Sequence, residues 1–544
     1  IISFLSLLIL VISVLGYSGI LKKIIFSKKN SINNNLDCLY GYSFLIFISI
    51  FFNYFFPLKY LFFVVLIFGI ISFLYFLSKK KYDLNFTTLF SICLFLIIIS
   101  HEQGISYDSQ LYHLQTIQLN TNFKIIFGIG NLQPHYGMNS SWHNFLSLIN
   151  FNFFGTNLIY LGNISLFVFL INEMFQRNFS TLNKISKIFL ILSILFIFSY
   201  SFFHPYGNGT ILNNLGSPEV DTISMIFFIL AVYSFLRFIE NDTTEFFYLF
   251  SLLVFLIITV KISYLGVILF YIYLIIGKKK KYFFNKLNFF LLISSIIWFL
   301  RSIFLTGCFI FPLKLSCIST SWSMDINSVD SYSKIVKSFA RDTPSRLKFT
   351  DFEYTIYSYE WVIPWIKEYF LVTEFLTISF TIIFFNIIML LSFYIVRNKT
   401  KTNFFNNIHF IVILILIFNL IIWMNAPEIR FGYGTIISLF AFSSALVLKK
   451  FRNVMVNKFL FYIIISFIFI PLSIKNKINL RSYENNSFVR NFDYSKFEII
   501  YKTNEHNIYR PSDNFCNAFE GFCTYQGYKV SINKENNYLF MKQN

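Results

Sequence analysis

Acidic and histidine side chains are concentrated in one polar stretch of an otherwise apolar chain, residues 101–143. This stretch holds four of the seven histidines, together with Glu102 and Asp108, directly after a long apolar run. A carboxylate at a membrane face can take a proton from a hydroxyl group or bind a divalent cation. We therefore interpret Asp108 as a candidate general base or metal ligand, and His113 and His135 as candidate substrate-binding residues.

Helix capping is the alternative interpretation of Asp108. The spacing of Leu114 and Ile117 predicts a helix over 109–120 that lies in the membrane interface, and either Ser106 or Asp108 could cap it. A zinc site is disfavoured, because the stretch has neither H-x3-H nor H-E-x-x-H spacing.

A second pair of acids, Glu219 and Asp221, stands immediately before an apolar run. Asp221 with Thr222 could be the N-cap of the helix that follows. Alternatively, the pair shares a substrate or a metal ion with Asp108. On that hypothesis Asp108 and Glu219 are metal ligands for a divalent cation such as Mg or Mn, and no other cofactor is expected.

Three cations border or interrupt apolar runs: Lys261, Arg301 and Arg430. A cation inside a membrane span costs at least ~2.5 kcal/mol, so each should have an anionic partner or extend to the interface. Extension to the interface is the ordinary interpretation. Taken together, the three fit a lipid-linked phosphate or pyrophosphate, because Arg makes forked contacts to phosphate oxygens and Lys supplies a point charge.

The amino-acid composition indicates the class of protein that must hold these candidate residues in place. Hydrophobic residues make up 56% of the 544 residues, charged residues 13%, and the mean hydropathy is +0.62. Soluble domains carry ~25% charged residues. A soluble enzyme, a disordered chain and a disulfide scaffold are therefore excluded, and lipid must cover most of the surface.

A hydrocarbon core is crossed by ~20 apolar residues. On that rule the sequence predicts an all-α polytopic membrane protein with about fourteen transmembrane helices. They lie near 1–21, 40–56, 60–78, 84–100, 156–175, 187–203, 222–239, 246–260, 262–277, 287–304, 371–396, 408–424, 434–449 and 458–474. The short pair within 246–277 could be one broken helix or a hairpin.

The net charge of +19 is mostly a topology signal, because Lys and Arg concentrate in alternate short loops. Such loops face the cytoplasm. Nucleic acid is therefore not an expected partner, and the lipid bilayer is. With an even number of spans, both termini are extracytoplasmic. Four segments then lie outside, namely 101–155, 204–221, 305–370 and 475–544.

Three regions follow from this topology. They are 1–83, the N-terminal transmembrane helices; 84–474, a transmembrane core with the first three outer segments; and 475–544, an extracytoplasmic region expected to fold as a small α/β cap. At about 70 residues that region is near the lower limit for an independent core.

Four cysteines fall in outer segments: Cys308, Cys317, Cys516 and Cys523. Disulfides persist on that side of the membrane, and four cysteines permit three connectivities. A local Cys516–Cys523 disulfide is the preferred prediction.

Several stretches together resemble a known group of proteins. They are YDSQLYHLQTIQ…GIGNLQPHYGMNSSWH (107–143), RSIFLTGCFIFPL (301–313), APEIRFGYG (426–434) and RPSDNFCNAFEGFC (510–523). In this order they resemble an uncharacterised family of bacterial multi-pass membrane proteins. That family in turn resembles the GT-C superfamily of glycosyltransferases, which includes the protein mannosyltransferases and the aminoarabinose transferases of lipid A.

The resemblance implies an inverting sugar transfer from a polyprenyl-phosphate donor to an envelope glycan, lipid or protein acceptor, at the outer face of the bacterial inner membrane. Asp108 matches the position of the acidic residue in the first large outer loop of GT-C enzymes, and the resemblance makes Glu102 its candidate catalytic partner. It would deprotonate the acceptor hydroxyl. The role of holding the lipid phosphate goes to Lys261, Arg301 and Arg430 by charge and depth.

Other functions remain open. A polysaccharide polymerase or ligase would depend on Arg341 and Arg346 in the third outer segment rather than on Asp108. A transporter of lipid-linked glycans would show internal repeats and charges at mid-bilayer. No repeat is detectable in the sequence, and only Lys261 could lie so deep. A non-catalytic envelope scaffold is the last alternative.

Overall fold

A computed structural model gives the architecture, which is mostly helical. The residues that the structure describes are 1–26, 35–79, 82, 85–100, 105–153, 155–175, 184–203, 214–277, 282–343, 346, 348, 350–370, 376, 379–388, 407–450, 494–495, 497–502, 506–525, 530–535 and 537–543.

Seventeen α-helices are found within these ranges. They are α1 Ile2–Ile25, α2 Cys38–Asn53, α3 Phe62–Ser78, α4 Phe86–Ser100, α5 Leu114–Asn122, α6 Ser141–Leu148, α7 Gly162–Met174, α8 Ile185–Phe203, α9 Val220–Asn241, α10 Thr244–Val260, α11 Ile268–Ile276, α12 Lys286–Thr306, α13 Ile326–Arg341, α14 Val362–Trp365, α15 Ser379–Ile388, α16 Asn407–Trp423 and α17 Ile429–Lys450.

Four of the described helices are long and apolar enough to cross a membrane: α1, α9, α12 and most of α17. Nine shorter apolar helical segments accompany them in the described ranges. Every predicted span up to residue 449 overlaps one of these thirteen. The span predicted over 371–396 is described only in part, and the one near 458–474 lies outside the described residues.

Burial separates the centre of the bundle from its surface. Helix α9 contacts α7, α8, α10 and α17, and 89% of its apolar window is buried. A helix that is hydrophobic all round belongs in such a central position. By contrast, α3 exposes Phe63, Val64, Ile67 and Ile71. Apolar side chains on that outer surface suit contact with lipid rather than water.

The segment predicted as a broken helix or a hairpin is a hairpin. Helix α10 ends at Val260, and the next residue, Lys261, has an extended backbone (φ −152°, ψ 114°). A 3-10 helix, Ile262–Val267, then leads into α11. The chain then folds back, so that the rings of Phe250 and Tyr271 lie 5.0 Å apart. Lys261 therefore occupies the turn between two apolar helices.

The polar stretch after α4 folds onto the end of the bundle. A π-helical turn, Ser109–His113, runs directly into α5. Leu114 and Ile117 are buried, with 1% and 0% of their surfaces exposed. The helix predicted here exists, but it is covered by other parts of the protein instead of lying open on the interface.

The described part of the C-terminal region consists of strands. Strands β3 (Phe497–Lys502), β4 (Asn507–Pro511) and β5 (Phe522–Cys523) form one sheet in that order, and β6 (Val530–Glu535) pairs with β7 (Tyr538–Gln543). A short hairpin, β1 (Asn152–Phe153) with β2 (Thr156–Asn157), precedes α7 and is separate from them. The predicted α/β cap is thus a strand-containing region, with no helix among its described residues.

This C-terminal region docks on the polar stretch. Met541 donates its backbone N–H to the carbonyl of Phe127 (2.8 Å), and the N–H of Phe127 donates to Leu539 (2.9 Å). Gly128 adopts φ +69°, and a Cβ there would lie 2.3 Å from the carbonyl oxygen of Met541. Only glycine allows this approach of the two backbones.

The preferred Cys516–Cys523 disulfide is present in the structure, and the other two outer-segment cysteines, whose pairing the sequence left open, form a second one. Cys516 is joined to Cys523 and Cys308 to Cys317, so that each bond closes its own short loop. Cys38 and Cys93 are buried thiols.

Candidate functional site

The ends of several helices bring the predicted charged residues together. Asp108 follows α4, Glu219 and Asp221 lie at the start of α9, Lys261 directly follows α10, and Arg430 lies in the first turn of α17. Because α4 and α10 end where α9 and α17 begin, these positions share one end of the bundle.

Arg430 is the centre of the group. Its Nη1 donates to Asp108 Oδ2 (2.7 Å) and to Glu219 Oε1 (3.4 Å), and its Nε donates to Glu428 Oε1 (3.3 Å). The side chains of Arg430 and Asp108 are each 20% exposed, so they are reachable from solvent. Nη2 of Arg430 makes no hydrogen bond to any residue that the structure describes.

Lys261 is the second cation of the group. It forms an ion pair with Asp221, and its Nζ lies 3.6 Å from the centroid of the Phe431 ring. An aromatic face stabilises a cation at this distance. The turn after α10 thus carries a lysine that pairs with the first turn of α9. We call Asp108, Glu219, Asp221, Lys261, Glu428 and Arg430 the charged cluster.

Carboxylates outnumber cations in the charged cluster by four to two. An uncompensated buried charge is costly, so a proton or a cation is favoured there. Glu219 is 1% exposed and its Oε2 has no hydrogen-bond partner within the described structure. Burial raises the pKa of Glu219, while Arg430 opposes that rise. Glu219 is therefore the carboxyl group of the cluster best placed to hold a proton.

The capping interpretations of the acids do not hold. Ser106 accepts the N–H of Ser109 (3.3 Å), whereas Asp108 makes no side-chain cap. Helix α9 begins at Val220, so Asp221 lies inside its first turn, and Glu219 at the N-cap position makes no capping hydrogen bond. These carboxylates are thus available for the charged cluster.

Two buried histidines, His113 and His143, lie close to the charged cluster. His113 Nδ1 lies 3.2 Å from Ser109 Oγ, and its ring centroid is 4.7 Å from that of His143. Burial lowers the pKa of His113 well below its usual value, with nearby His143 and Arg430 acting in the same direction. Burial lowers the pKa of His143 to about 4. Both side chains are therefore neutral near pH 7.

His135 connects this region to the C-terminal strands. Its Nδ1 is 2.9 Å from Tyr525 Oη, and its ring centroid is 4.4 Å from that of Tyr112. Burial lowers its pKa to about 4, against the attraction of Asp108. His135 lies beside the charged cluster rather than within it.

Arg301 does not join the charged cluster. Its guanidinium is 2% exposed and donates to the side chains of Asn53 and Asn120. Glu102 lies outside the described residues. Arg341 and Arg346 make local contacts within the segment 305–370, with the carbonyl of Thr355 and with Asp351 respectively.

Sequence reasoning missed Glu428 and Phe431, which flank Arg430 in the motif PEIRF. The sequence signal for both residues was that they lie next to a cation that borders an apolar run.

Among the described residues, no group of three or more His, Cys, Asp or Glu side chains could hold a metal ion. The divalent cation stays a prediction, and Arg430 stands between its proposed ligands Asp108 and Glu219.

Acidification should destabilise the protein between pH 6.5 and 5. His143 stays neutral in the fold down to about pH 4, whereas an unfolded histidine takes up a proton below about pH 6.5. The contribution of His143 to stability is therefore full above pH 6.5 and is lost as the pH falls toward 4, by about 2 kcal/mol at pH 5. Thermal unfolding in detergent across this range measures the loss.

The variant His143→Asn tests whether His143 causes this loss of stability at low pH. Glu219 acts in the opposite direction, because its raised pKa lets the folded state gain a proton first as the pH falls. Because the variant lacks the His143 contribution, its unfolding temperature should depend less steeply on pH. Equal slopes for His143→Asn and the original protein would contradict the prediction.

A family model described as a domain of unknown function (DUF8201) matches residues 1–437 of the chain. That match covers most of the sequence, and the chain belongs to this family. No curated protein matches the chain. No solved structure matches it either.

Proposed function

We propose that this member of the DUF8201 family is an inverting, GT-C-like membrane glycosyltransferase. It transfers a sugar from a polyprenyl-phosphate donor to an envelope glycan, lipid or protein acceptor. The reaction takes place at the outer face of the bacterial inner membrane. About fourteen spans, predicted from the apolar runs, and extracytoplasmic termini, predicted from the distribution of Lys and Arg, belong to the same proposal.

The observation that carries the proposal is the ion pair between Asp108 and Arg430 at one end of the bundle. Both side chains are partly exposed. The carboxylate can take the proton of a hydroxyl acceptor, and the cation in contact with it can stabilise an anionic leaving group. Residues 322 positions apart supply the two groups. Contact across that separation requires the helix packing itself, so it is not a local pairing along one helix.

In the proposed reaction Asp108 takes the proton of the acceptor hydroxyl as its oxygen attacks the anomeric carbon of the sugar. The bond between that carbon and the phosphate oxygen breaks, and the polyprenyl phosphate leaves with the electron pair. Inversion follows from the single displacement. Nη2 of Arg430 and the ammonium of Lys261 stabilise the leaving phosphate.

Binding of the lipid product tests the proposal directly. Polyprenyl phosphate should raise the unfolding temperature of the protein in nanodiscs, by about 2.7 kcal/mol of stability at a hundredfold excess over the dissociation constant. Polyprenol of the same length should have no comparable effect, because it lacks the phosphate group that Arg430 and Lys261 would bind.

The variant Lys261→Gln should weaken this stabilisation. Lys314→Gln is the matched control, since Lys314 pairs with Asp330 in another segment and its side chain is half exposed. Equal stabilisation by polyprenol and by its phosphate, or equal losses in the two variants, would count against the proposal.

A further inference from the structure

A groove lies between helices α4, α7 and α8 and begins at the end of the bundle opposite the charged cluster. Apolar side chains from all three helices line it, among them Phe95, Met174 and Phe198. Its volume is about 490 Å³, whereas one water molecule takes up roughly 30 Å³ in the liquid. Apolar cavities much smaller than this, at ~150 Å³, stay dry and bind apolar molecules. The groove therefore suits a hydrocarbon ligand.

The groove adjoins a surface that faces lipid. Leu94 and Ile98 of α4 are 44% and 54% exposed and belong to the outer surface of the bundle. Ser91 and Phe95, which line the groove, follow the neighbouring row of the same helix, one residue round from the exposed row. A hydrocarbon chain can therefore enter the groove sideways from the bilayer without crossing water.

Hydroxyl groups lie only at one end of the groove lining. They belong to Thr87, Thr88 and Ser91, at the beginning of α4. Thr87 donates to the side chain of Asn85 (2.6 Å), and Ser91 donates to the carbonyl of Thr87 (2.9 Å). The hydroxyl of half-buried Thr88 makes no hydrogen bond to any residue that the structure describes. It is therefore available to donate to an oxygen atom of a ligand.

The depth of Thr88 distinguishes between two kinds of lipid. Helix α4 begins at Phe86, which is the cytoplasmic end of its span on the proposed orientation. An inner-leaflet phospholipid places its ester carbonyls at that boundary and its acyl chains in the hydrocarbon core. A polyprenyl phosphate bound at the charged cluster would instead place its polar group near the other end of α4, roughly 18 Å from Thr88 at 1.5 Å per residue.

We propose that this groove is a binding site for one acyl chain of an inner-leaflet phospholipid. An ester carbonyl of the lipid accepts a hydrogen bond from Thr88, and the chain extends along α4 toward Phe95 and Phe198. The bound chain fills the space between α7 and α8, both of which contact the central helix α9. The inference does not depend on sugar transfer.

Native mass spectrometry of the full-length protein tests the site. The protein is reconstituted in nanodiscs with phosphatidylethanolamine and a small amount of polyprenyl phosphate, and is then released into detergent. One phosphatidylethanolamine molecule should remain bound after the loosely held lipids have been removed. Absence of any retained phospholipid would overturn the inference.

A variant that fills the groove locates the bound lipid. Leu195→Trp places a larger side chain in the lining and should reduce phospholipid retention by roughly tenfold or more. Leu292→Trp is the matched control, because Leu292 is 57% exposed on α12 and lies outside the groove. Equal retention by the two tryptophan variants would reject the site.

A variant of nearly the same shape keeps the test valid if Leu195→Trp fails to fold. Thr88→Val removes only the hydroxyl group and should weaken phospholipid retention roughly fivefold, as expected for one lost hydrogen bond. Thr244→Val is its control, since Thr244 is an exposed first residue of α10 at the same end of the bundle. Equal effects of the two threonine variants would contradict the proposed ester contact.

The outcome is separable from that of the proposed function. Asp108→Asn should leave phospholipid retention unchanged, because Asp108 does not line the groove. Polyprenyl phosphate that is lost from Leu195→Trp, with phospholipid retention unaffected, would make the groove a polyprenyl site and overturn the inference. Polyprenyl phosphate that is lost from Lys261→Gln alone supports the proposed function and leaves the phospholipid site intact.

Discussion

Replacing Asp108 by asparagine should reduce sugar transfer by roughly 10²- to 10⁴-fold, the usual contribution of a general base. Asparagine has nearly the same shape, and its carbonyl oxygen can still accept from Arg430 Nη1, which now lies 2.7 Å from Asp108 Oδ2. What the variant loses is the ability to take a proton. The amount of envelope glycan carrying the transferred sugar, in cells with equal protein in the membrane, measures the effect.

Asp325→Asn is the matched control for this experiment. Asp325 caps α13 by accepting the N–H groups of Asn327 and Ser328, far from the charged cluster in the sequence. Asparagine is a good N-cap as well, so transfer should stay close to normal. Undiminished transfer by Asp108→Asn would remove Asp108 from the catalytic role.

Replacing Arg430 by methionine should destabilise the fold on the order of 2–3 kcal/mol. Breaking a buried ion pair by removing one partner costs ~3–5 kcal/mol, and the value is reduced here because the side chain is one-fifth exposed. The loss arises because Asp108, Glu219 and Glu428 all face Arg430 and would repel one another in its absence. Arg430→Lys should restore only part of the stability, since lysine lacks the fork that reaches several carboxylates.

The unfolding temperature in detergent at pH 7.5 measures this loss. The deficit of Arg430→Met should shrink at pH 5, because protonation relieves repulsion between the carboxyl groups. Arg346→Met is the control, as its pair with Asp351 is more exposed and should contribute less than about 1 kcal/mol. A deficit that is independent of pH would mean that lost packing, and not charge, explains the effect of the Arg430 variant.

Much of the helical architecture was predictable from the sequence. Apolar runs set the helices, and each predicted span up to residue 449 overlaps a described helix. The hairpin at Lys261 remained ambiguous, because a single cation in an apolar run does not reveal whether the chain reverses there. The C-terminal strands were predicted only as a mixed cap, since short strands docked on another segment take their hydrogen-bond partners from outside their own sequence.

Most members of the charged cluster were predictable from the sequence, although Glu428 was missed, and their contacts were not predictable. Asp108, Lys261 and Arg430 were identified from charges bordering apolar runs, a property that can be read locally. Arg301 shares that property, yet its contacts are with Asn53 and Asn120 and not with the charged cluster. Depth along a helix is visible in a sequence, but the direction in which a side chain points around the bundle is not.

The sequence by itself determined which segments avoid water and where ionisable side chains interrupt them, because hydrophobicity and charge are properties of each residue and its neighbours. The tertiary structure decided which charges meet. Arg430 contacts Asp108 across 322 positions, and Ser106, not Asp108, caps the turn at Ser109. Ion pairs and caps form only between groups within a few ångströms, and the packing of helix ends alone sets those distances.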